Sequence, residues 1–335
     1  MSRSQHSSII NQTGGFVARC DVARPASMMS PLPPGMLGLG FGCARLRGGR
    51  SGTTSRQLLE TAYDAGIRYF DTARMYGDGE AEGVLGRFLG DRRREVFVAS
   101  KAGILPPSGV MANRWSRRAA KLVGLALPAL APRPAGPRFG MFDPDTLRKS
   151  VDTSLRMLRT DRLDALLLHE VDAADLADGA VMKMLDGLAA AGKIGVTGVA
   201  STPAQTRRIV PSRGGCFRVV QVASTVLEDG LVPLGDRRRF LTVTHSVLAG
   251  CLERIIARLT TDRAFRARWI AQTAVNPGSR DAVAELLLAE ALDANRDGVV
   301  LFSSASPTRI ARAARVAQEK PFTARQIANL RALLA

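Results

Sequence analysis

RYFDTARMYGDGEAEGVLGRFLGDRRREVFVASK, residues 68–101, contains two short apolar runs, RYFDTA (68–73) and EVFVASK (95–101), with a helical stretch, EAEGVLGRFLG (80–90), between them. Runs of strand length alternating with helical patterns are the signature of a parallel sheet assembled from β/α units. The rhythm extends in both directions. Further runs of strand length are MLGLGFG (36–42), LDALLLHE (163–170), IGVTGVA (194–200), VVQVAS (219–224), FLTVTHSV (240–247) and GVVLFSS (298–304). Helical stretches such as 55–66, 143–158, 180–193 and 281–294 separate them, several opening on Ser or Asp and ending in Gly, as helix caps require.

Eight strands buried on both faces and separated by helices suit a closed barrel better than an open sheet. An open doubly wound sheet normally carries GxGxxG after a strand, and none follows a strand here; Gly38 and Gly40 in LGLGFGC (37–43) lack the third glycine and read as tight packing of the first strand. The expected fold is a single-domain α/β protein, a (β/α)8 TIM barrel over residues 36–335, with long loops after strands 3 and 7. The first of these, residues 105–141, is a basic insertion. The second, 248–295, is expected to hold two helical segments. Loops that follow barrel strands lie on the C-terminal face, where chemistry sits, so both are candidate covers for a substrate.

A length of 335 residues is compatible with one such barrel, and 46% apolar with 23% charged residues excludes a disordered or collagen-like chain. No apolar run approaches the ~18 residues that a membrane-spanning helix needs. Residues 1–35, rich in Ser, Pro and small residues without apolar periodicity, read as a disordered lead-in, with Met28, Met29 or Met36 as alternative starts. Cys20, Cys43, Cys216 and Cys251 show neither metal-ligand nor CxxC spacing, and no clear apolar signal segment precedes the fold, so a reducing cytoplasm is expected. The formal net charge of +17 raises polyanions as partners. Arg114, Arg117, Arg118, Lys121, Arg133 and Arg138, however, concentrate +6 of it in 105–141, which has no acid. That is a basic segment attached to an ordinary chain, and no nucleic-acid partner is expected. Its stretch 113–134 joins a basic start to an apolar run; such a helix can lie in a membrane interface, cover its own active site or bind a partner. The lid reading is favoured, because the segment follows the strand that carries Lys101.

Four ionisable residues fall at the same end of three consecutive strands. Asp71 ends the second run and Tyr76 follows it, Lys101 closes the third, and His169 closes the fourth. Each has an ordinary explanation alone: a helix cap, a loop aromatic, a solvated strand end, a hydrogen-bonded core histidine. Barrel geometry makes their joint placement informative, since strand C-termini converge on one pocket. Reducing a carbonyl by hydride transfer requires an acid for the developing alkoxide, and a phenol of ordinary pKa ~10 is a poor donor near neutrality. A cation ~4 Å away contributes ~4 kcal/mol at an effective dielectric of ~20, enough to lower that pKa by up to ~3 units. Lys101 can thus tune Tyr76, Asp71 can hold Lys101 charged in a dry pocket, and His169 can orient the carbonyl oxygen.

With these residues in place, FDTARMYGDGEAEGVLG (70–86), FVASKAG (97–103), LRMLRTDRLDALLLHE (155–170) and GKIGVTGVA (192–200) resemble the aldo-keto reductase superfamily, over about residues 36–320. The resemblance implies a (β/α)8 barrel, NADPH bound in extended form (NADH being the alternative), and a small-molecule carbonyl substrate. It assigns Tyr76 as general acid, Lys101 and Asp71 as its tuning pair, and His169 as the residue that positions the carbonyl.

For the cofactor, the resemblance matches Gln221 to a glutamine that holds the nicotinamide carboxamide. The family's Ser-Asn pair after strand 5 is replaced by Ala200 and Ser201, so Ser201 is a partial substitute. His245 stands where an aromatic residue stacks on the nicotinamide, with Ser246 as a pyrophosphate or ribose neighbour. Ser304 and Arg309 match a hydroxyl donor and a clamp for the adenosine 2′-phosphate, at the start of a helix whose free N–H groups favour an anion. DANRDG (293–298) starts like a calcium loop, but Ser304 occupies its twelfth position, and no metal site is expected. TTDRAFRARWI (260–270) is expected to cover the barrel or the pocket with Phe265 and Trp269. An alternative of another class is a cofactor-binding regulatory or redox-sensing barrel with negligible turnover; the altered nicotinamide contacts favour it and the complete tetrad weighs against it.

Overall fold

All eight expected strands form, and they close on themselves. In the computed structural model, which describes residues 36–48, 51–107, 136–212, 215–235 and 237–335, the strands are β1 (Leu39–Gly42), β2 (Tyr69–Asp71), β3 (Phe97–Ala102), β4 (Leu163–His169), β5 (Ile194–Ala200), β6 (Val219–Ala223), β7 (Leu241–His245) and β8 (Val299–Phe302). Each pairs in parallel with its sequence neighbour, and β1 pairs with β8, so no edge is left open. Helices on the outside return the chain between strands, as the β/α alternation requires.

Successive strand residues point to opposite faces, and this period of two divides the core. Tyr69, Phe97, Ala99, Ala165, Leu167, Val219, Leu241, Val243, Val299 and Leu301 face inward as one buried cluster that fills the barrel. Tyr69 and Phe97 stack there with centroids 5.0 Å apart. The alternate residues Phe70, Val98, Leu166, Leu168, Val220 and Val300 face outward into a second cluster shared with helix residues such as Leu85, Leu147, Leu185 and Ile310. Gly40 is required by this packing: a Cβ there would lie 2.8–2.9 Å from Leu301, Tyr69 and Val299. The tight packing expected for the first strand is thus a packing constraint inside the barrel.

The region between β7 and β8 holds three helices, Cys251–Thr261, Arg263–Thr273 and Arg280–Ala294, where two helical segments were expected. The break falls at Asp262, whose extended backbone ends the first helix and whose side chain accepts the N–H of Phe265 to start the next. Phe265 and Trp269 are fully buried in a satellite cluster with Leu252, Ile255 and Leu330. That cluster joins helix to helix without a strand residue, so Phe265 and Trp269 cover neither the barrel strands nor the cleft described below, the two roles expected of them.

The loop after β3 has a closed neck. Leu105 and Arg138 exchange backbone hydrogen bonds of 2.9 and 3.0 Å, and Met141 N–H donates to Gly103 O. The insertion therefore leaves and re-enters the barrel at one point on the C-terminal face. Residues 108–135, on which the lid and interfacial-helix readings fall, lie outside the described residues, as does the expected lead-in 1–35. No helix among the described residues is long and apolar enough to cross a membrane.

Candidate active site

The alternation that builds the core also aims the polar strand ends. Asp71 lies two residues beyond inward-facing Tyr69, Lys101 two beyond Ala99, His169 two beyond Leu167, Gln221 two beyond Val219 and His245 two beyond Val243. Each of these five strands therefore presents apolar side chains to the interior and a polar or ionisable one at its last inward position. The result is a single cleft of about 990 Å³ over the C-terminal ends of the strands. Its lining includes Asp71, Tyr76, Lys101, His169, Ser201, Gln221, His245, Ser246, Ser304 and Arg309, so every site residue expected from the sequence meets there.

Tyr76 comes from a tight turn and not from a strand. Its N–H donates to Ala73 O, and Gly77 (φ 59°) and Asp78 (φ 57°) follow in the left-handed region. Gly77 admits no side chain, since a Cβ would sit 2.1 Å from Leu46 O. The turn is held against the β1 loop by the Arg47–Asp78 ion pair and by Gly48 N–H donating to Glu80 Oε2 at 2.8 Å.

Within the cleft Lys101 Nζ lies 2.5 Å from Asp71 Oδ1 and donates to Thr72 O at 3.2 Å and to the Tyr76 hydroxyl at 3.3 Å. The rings of Tyr76 and His169 meet edge to face with centroids 6.0 Å apart. Burial pulls the Lys101 ammonium toward deprotonation, but Asp71 and then Tyr76 more than offset it, and its pKa ends above the ordinary lysine value. The expectation for Tyr76 needs correction in its net direction. Burial of the phenol outweighs the lowering by Lys101, with Asp71 adding to the rise, so its pKa lies above 10. Lys101 acts with the expected sign against a larger desolvation cost. For His169, burial, then Lys101 and then His245, press the pKa down to about 3, so the imidazole is neutral throughout the ordinary pH range. His245 is lowered for the same first reason.

The wall from β5 to β8 differs in character. Gln221 Oε1 is buried without a hydrogen-bond partner, an orphaned acceptor that suits an amide N–H₂ from a ligand. Ser201 is already engaged, donating to Val171 O at 3.0 Å, which leaves only its acceptor capacity for a ligand. His245 Nδ1 lies 2.9 Å from Ser246 Oγ. Ser306 caps the helix Pro307–Glu319 by accepting the Arg309 N–H, and Ser304 Oγ accepts the Ser306 N–H, keeping its own O–H available. The Arg309 guanidinium has no ion-pair partner among the described residues, and it borders both the cleft and an adjoining pocket of about 160 Å³ that Ala313 also lines. An orphaned amide acceptor, the available Ser304 hydroxyl and a guanidinium without an ion-pair partner among the described residues, along one groove, fit a dinucleotide.

Three contributors were not anticipated. Arg45 and Glu170 line the cleft, and neither side chain has an ion-pair partner among the described residues. Arg45 sits in the turn from Cys43 to Leu46, whose ends are both buried. Glu170 follows His169 with φ 56°. Arg280 crosses to Glu253 in a two-bonded ion pair at the rim. Position directly after a strand end was a usable signal for Glu170, but nothing local in the sequence joins Arg280 to Glu253, 27 residues apart.

A closed parallel barrel with a polar cleft at its C-terminal face defines a class of protein common to many chemistries. The chain belongs to the aldo/keto reductase family, whose sequence model matches residues 38–335. Among curated relatives, a 6-dehydroglucose reductase of Novosphingobium aromaticivorans is 31% identical over 194 residues, 51% of this chain and 53% of that protein. A D-threo-aldose 1-dehydrogenase of a Pseudomonas species is 34% identical over 154 residues, 43% of each. The chain spans about half the length of these curated relatives. Among solved structures, the holo form of an aldo-keto reductase from Bacillus halodurans superposes with a TM-score of 0.64 at 19% identity, covering 89% of this chain and 92% of the other. An aldo/keto reductase from Klebsiella pneumoniae in complex with NADP and acetate gives 0.60 at 20% identity, covering 89% and 91%. These superpositions support the fold.

Proposed function

We propose that this chain reduces an aldehyde or ketone to an alcohol with NADPH, or runs the reverse oxidation, using Tyr76 as the general acid. The observation that carries the reading is the contact of the Tyr76 hydroxyl with Lys101 Nζ at 3.3 Å, on the wall of the cleft that also holds the orphaned Gln221 amide oxygen.

Residues of the β5–β8 wall would hold a nicotinamide dinucleotide, which when bound would supply the hydride. Gln221 would accept from its carboxamide, with Ser201, His245 and Ser246 alongside. Ser304 and Arg309 would take the adenosine 2′-phosphate, the basis for assigning NADPH over NADH. Tyr76, kept protonated at neutral pH by burial, gives its proton to the carbonyl oxygen only as negative charge builds there, because an alkoxide is a far stronger base than a phenolate. Lys101, held charged by Asp71, stabilises the phenolate that remains; this acts in the transition state more than in the ground state, which is where stabilisation raises kcat. His169 offers a neutral imidazole to the same oxygen and, with its depressed pKa, does not compete as a cation.

Arg45 and Glu170 on the cleft, a donor and an acceptor of opposite charge without ion-pair partners among the described residues, favour a polar, hydroxylated carbonyl compound. The similarity to a 6-dehydroglucose reductase and a D-threo-aldose 1-dehydrogenase points the same way. The test is multiple-turnover NADPH oxidation with a panel of aldehydes, ketones and sugars, comparing wild type with Tyr76→Phe. Turnover that Tyr76→Phe abolishes while NADPH still binds supports the reading; equal turnover by both proteins, or none by wild type with any member, overturns it.

A further inference from the structure

We infer that Glu82 is a positioning residue for the reaction: its buried carboxylate ties the turn that carries Tyr76 to the strand that carries Lys101. This rests on the proposed role of those two residues, and it concerns side chains that neither touch the cleft nor belong to the catalytic group.

Glu82 lies in the first turn of the helix Ala81–Leu89, and its side chain is 0% exposed. A carboxylate so placed needs partners for both oxygens, because leaving either unmet in a desolvated site is costly. Oε1 accepts from Ser100 Oγ at 2.7 Å, and Oε2 pairs with Arg74 Nη1 at 2.8 Å. Ser100 is fully buried and is the outward-facing neighbour of Lys101 on β3. Arg74 lies two residues before Tyr76, and its side chain is 12% exposed. One carboxylate thus bridges the residue beside Lys101 and the residue two before Tyr76, from behind the barrel wall.

The bridge has a clear geometric consequence. β2 and β3 are in register only to the pair Asp71 and Ala99. Past it, the turn is joined to β3 by Thr72 N–H donating to Ala99 O at 2.9 Å, and by little else in the backbone. The separation of the phenol from the ammonium therefore depends on side chains that span the gap, and the Ser100–Glu82–Arg74 chain spans it on the side opposite the cleft. The groups that face the Tyr76 hydroxyl electrostatically are Lys101, Asp71 and Cys43, with the His169 ring beside it. Of these, Lys101 alone lowers the phenol pKa. Loosening the bridge should weaken that one contact and let the phenol pKa climb.

The experiment uses full-length Glu82→Gln and Ser100→Ala. The first keeps the shape and removes the charge; the second removes one donor and is the milder lesion should the first fold poorly. The pH titration of Tyr76 is followed by 13C NMR on ring-labelled protein, alongside kcat, KM and thermal unfolding. The expected result is an upward shift of the Tyr76 titration in both variants, with kcat reduced about tenfold to a hundredfold, as small misplacements of reacting groups cost, and with KM for NADPH unchanged. Lower thermal stability with an unmoved Tyr76 titration would show a purely structural carboxylate and overturn the inference. Should wild type turn over no carbonyl compound, the reductase reading falls, while the titration still decides whether Glu82 sets the Tyr76–Lys101 contact.

Discussion

The two walls of the cleft are built on opposite plans. On the β2–β4 side the buried charges are paired internally, Lys101 with Asp71 in the cleft and Arg74 with Glu82 behind it, while exposed Glu170 just past β4 has no ion-pair partner among the described residues. On the β5–β8 side a guanidinium, Arg309, and an amide oxygen, Gln221 Oε1, stand without partners among the described residues. Buried polar groups are normally satisfied, so the orphaned Gln221 oxygen marks a place shaped for a ligand, with exposed Arg309 as an uncommitted charge nearby, whereas the closed ion pairs of the first wall are set before anything binds. The first wall also holds buried atoms without a partner among the described residues, Asp71 Oδ2, Thr72 Oγ1, Arg74 Nε and His169 Nδ1, but its buried charged side chains each keep at least one closed contact. In this reading the first wall performs proton chemistry and the second holds the dinucleotide.

Mutations should separate the walls. Tyr76→Phe is expected to have the largest effect, lowering kcat by about 10²–10⁴-fold, the range for a lost general acid, while NADPH binding measured by fluorescence titration stays near wild type. Lys101→Met should also abolish turnover, and by stranding the buried Asp71 carboxylate it should cost about 3–5 kcal/mol of stability in denaturant unfolding. A variant that lost cofactor binding but kept its stability would break the division. On the other wall, Arg309→Ala should weaken NADPH by about tenfold to a hundredfold, as expected for a charged hydrogen bond, and leave NADH nearly unchanged. Equal weakening of both cofactors would remove the 2′-phosphate assignment.

The smallest effects concern pH. Because the His169 pKa is about 3, kcat/KM should show no acidic limb from this residue near 6–7, and its alkaline fall should lie above pH 10, with Tyr76. Stability follows a related rule. The folded-state pKa of His169 is depressed below its ordinary 6.5, so its contribution is fully present above 6.5 and is lost as pH falls toward 3, where the unfolded chain takes up the proton first. Unfolding measurements from pH 7 to 4 on wild type and His169→Asn should show a shallower pH slope in the variant.

Most of the barrel was legible because strands buried on both faces read as unbroken apolar runs, their side chains alternating in direction with a period of two. The run 194–200 matches β5 residue for residue, and 219–224 overshoots β6 by one. The same periodicity explains why Asp71, Lys101, His169, Gln221 and His245 converge: each sits an even number of residues from an inward apolar side chain. Balances between opposing effects were not legible. The spacing indicated that Lys101 acts on Tyr76, but the net direction depends on how deeply the phenol is buried, a tertiary property. Glu82 looks like any acid in the first turn of a helix until Arg74 and Ser100 are seen to enclose it. The third helix between β7 and β8 was not legible because 248–295 was expected to hold two helical segments, and Asp262 turns the chain between two short ones as an ordinary N-cap residue.

A crystal structure of the chain with NADP+ tests the division of the cleft most directly. The account predicts the nicotinamide carboxamide donating to Gln221 Oε1, with ring C4 facing a space within hydrogen-bond reach of the Tyr76 hydroxyl, ~3 Å from where a carbonyl oxygen would sit. A nicotinamide bound away from Gln221, or with Tyr76 and Lys101 drawn apart beyond contact, would contradict it.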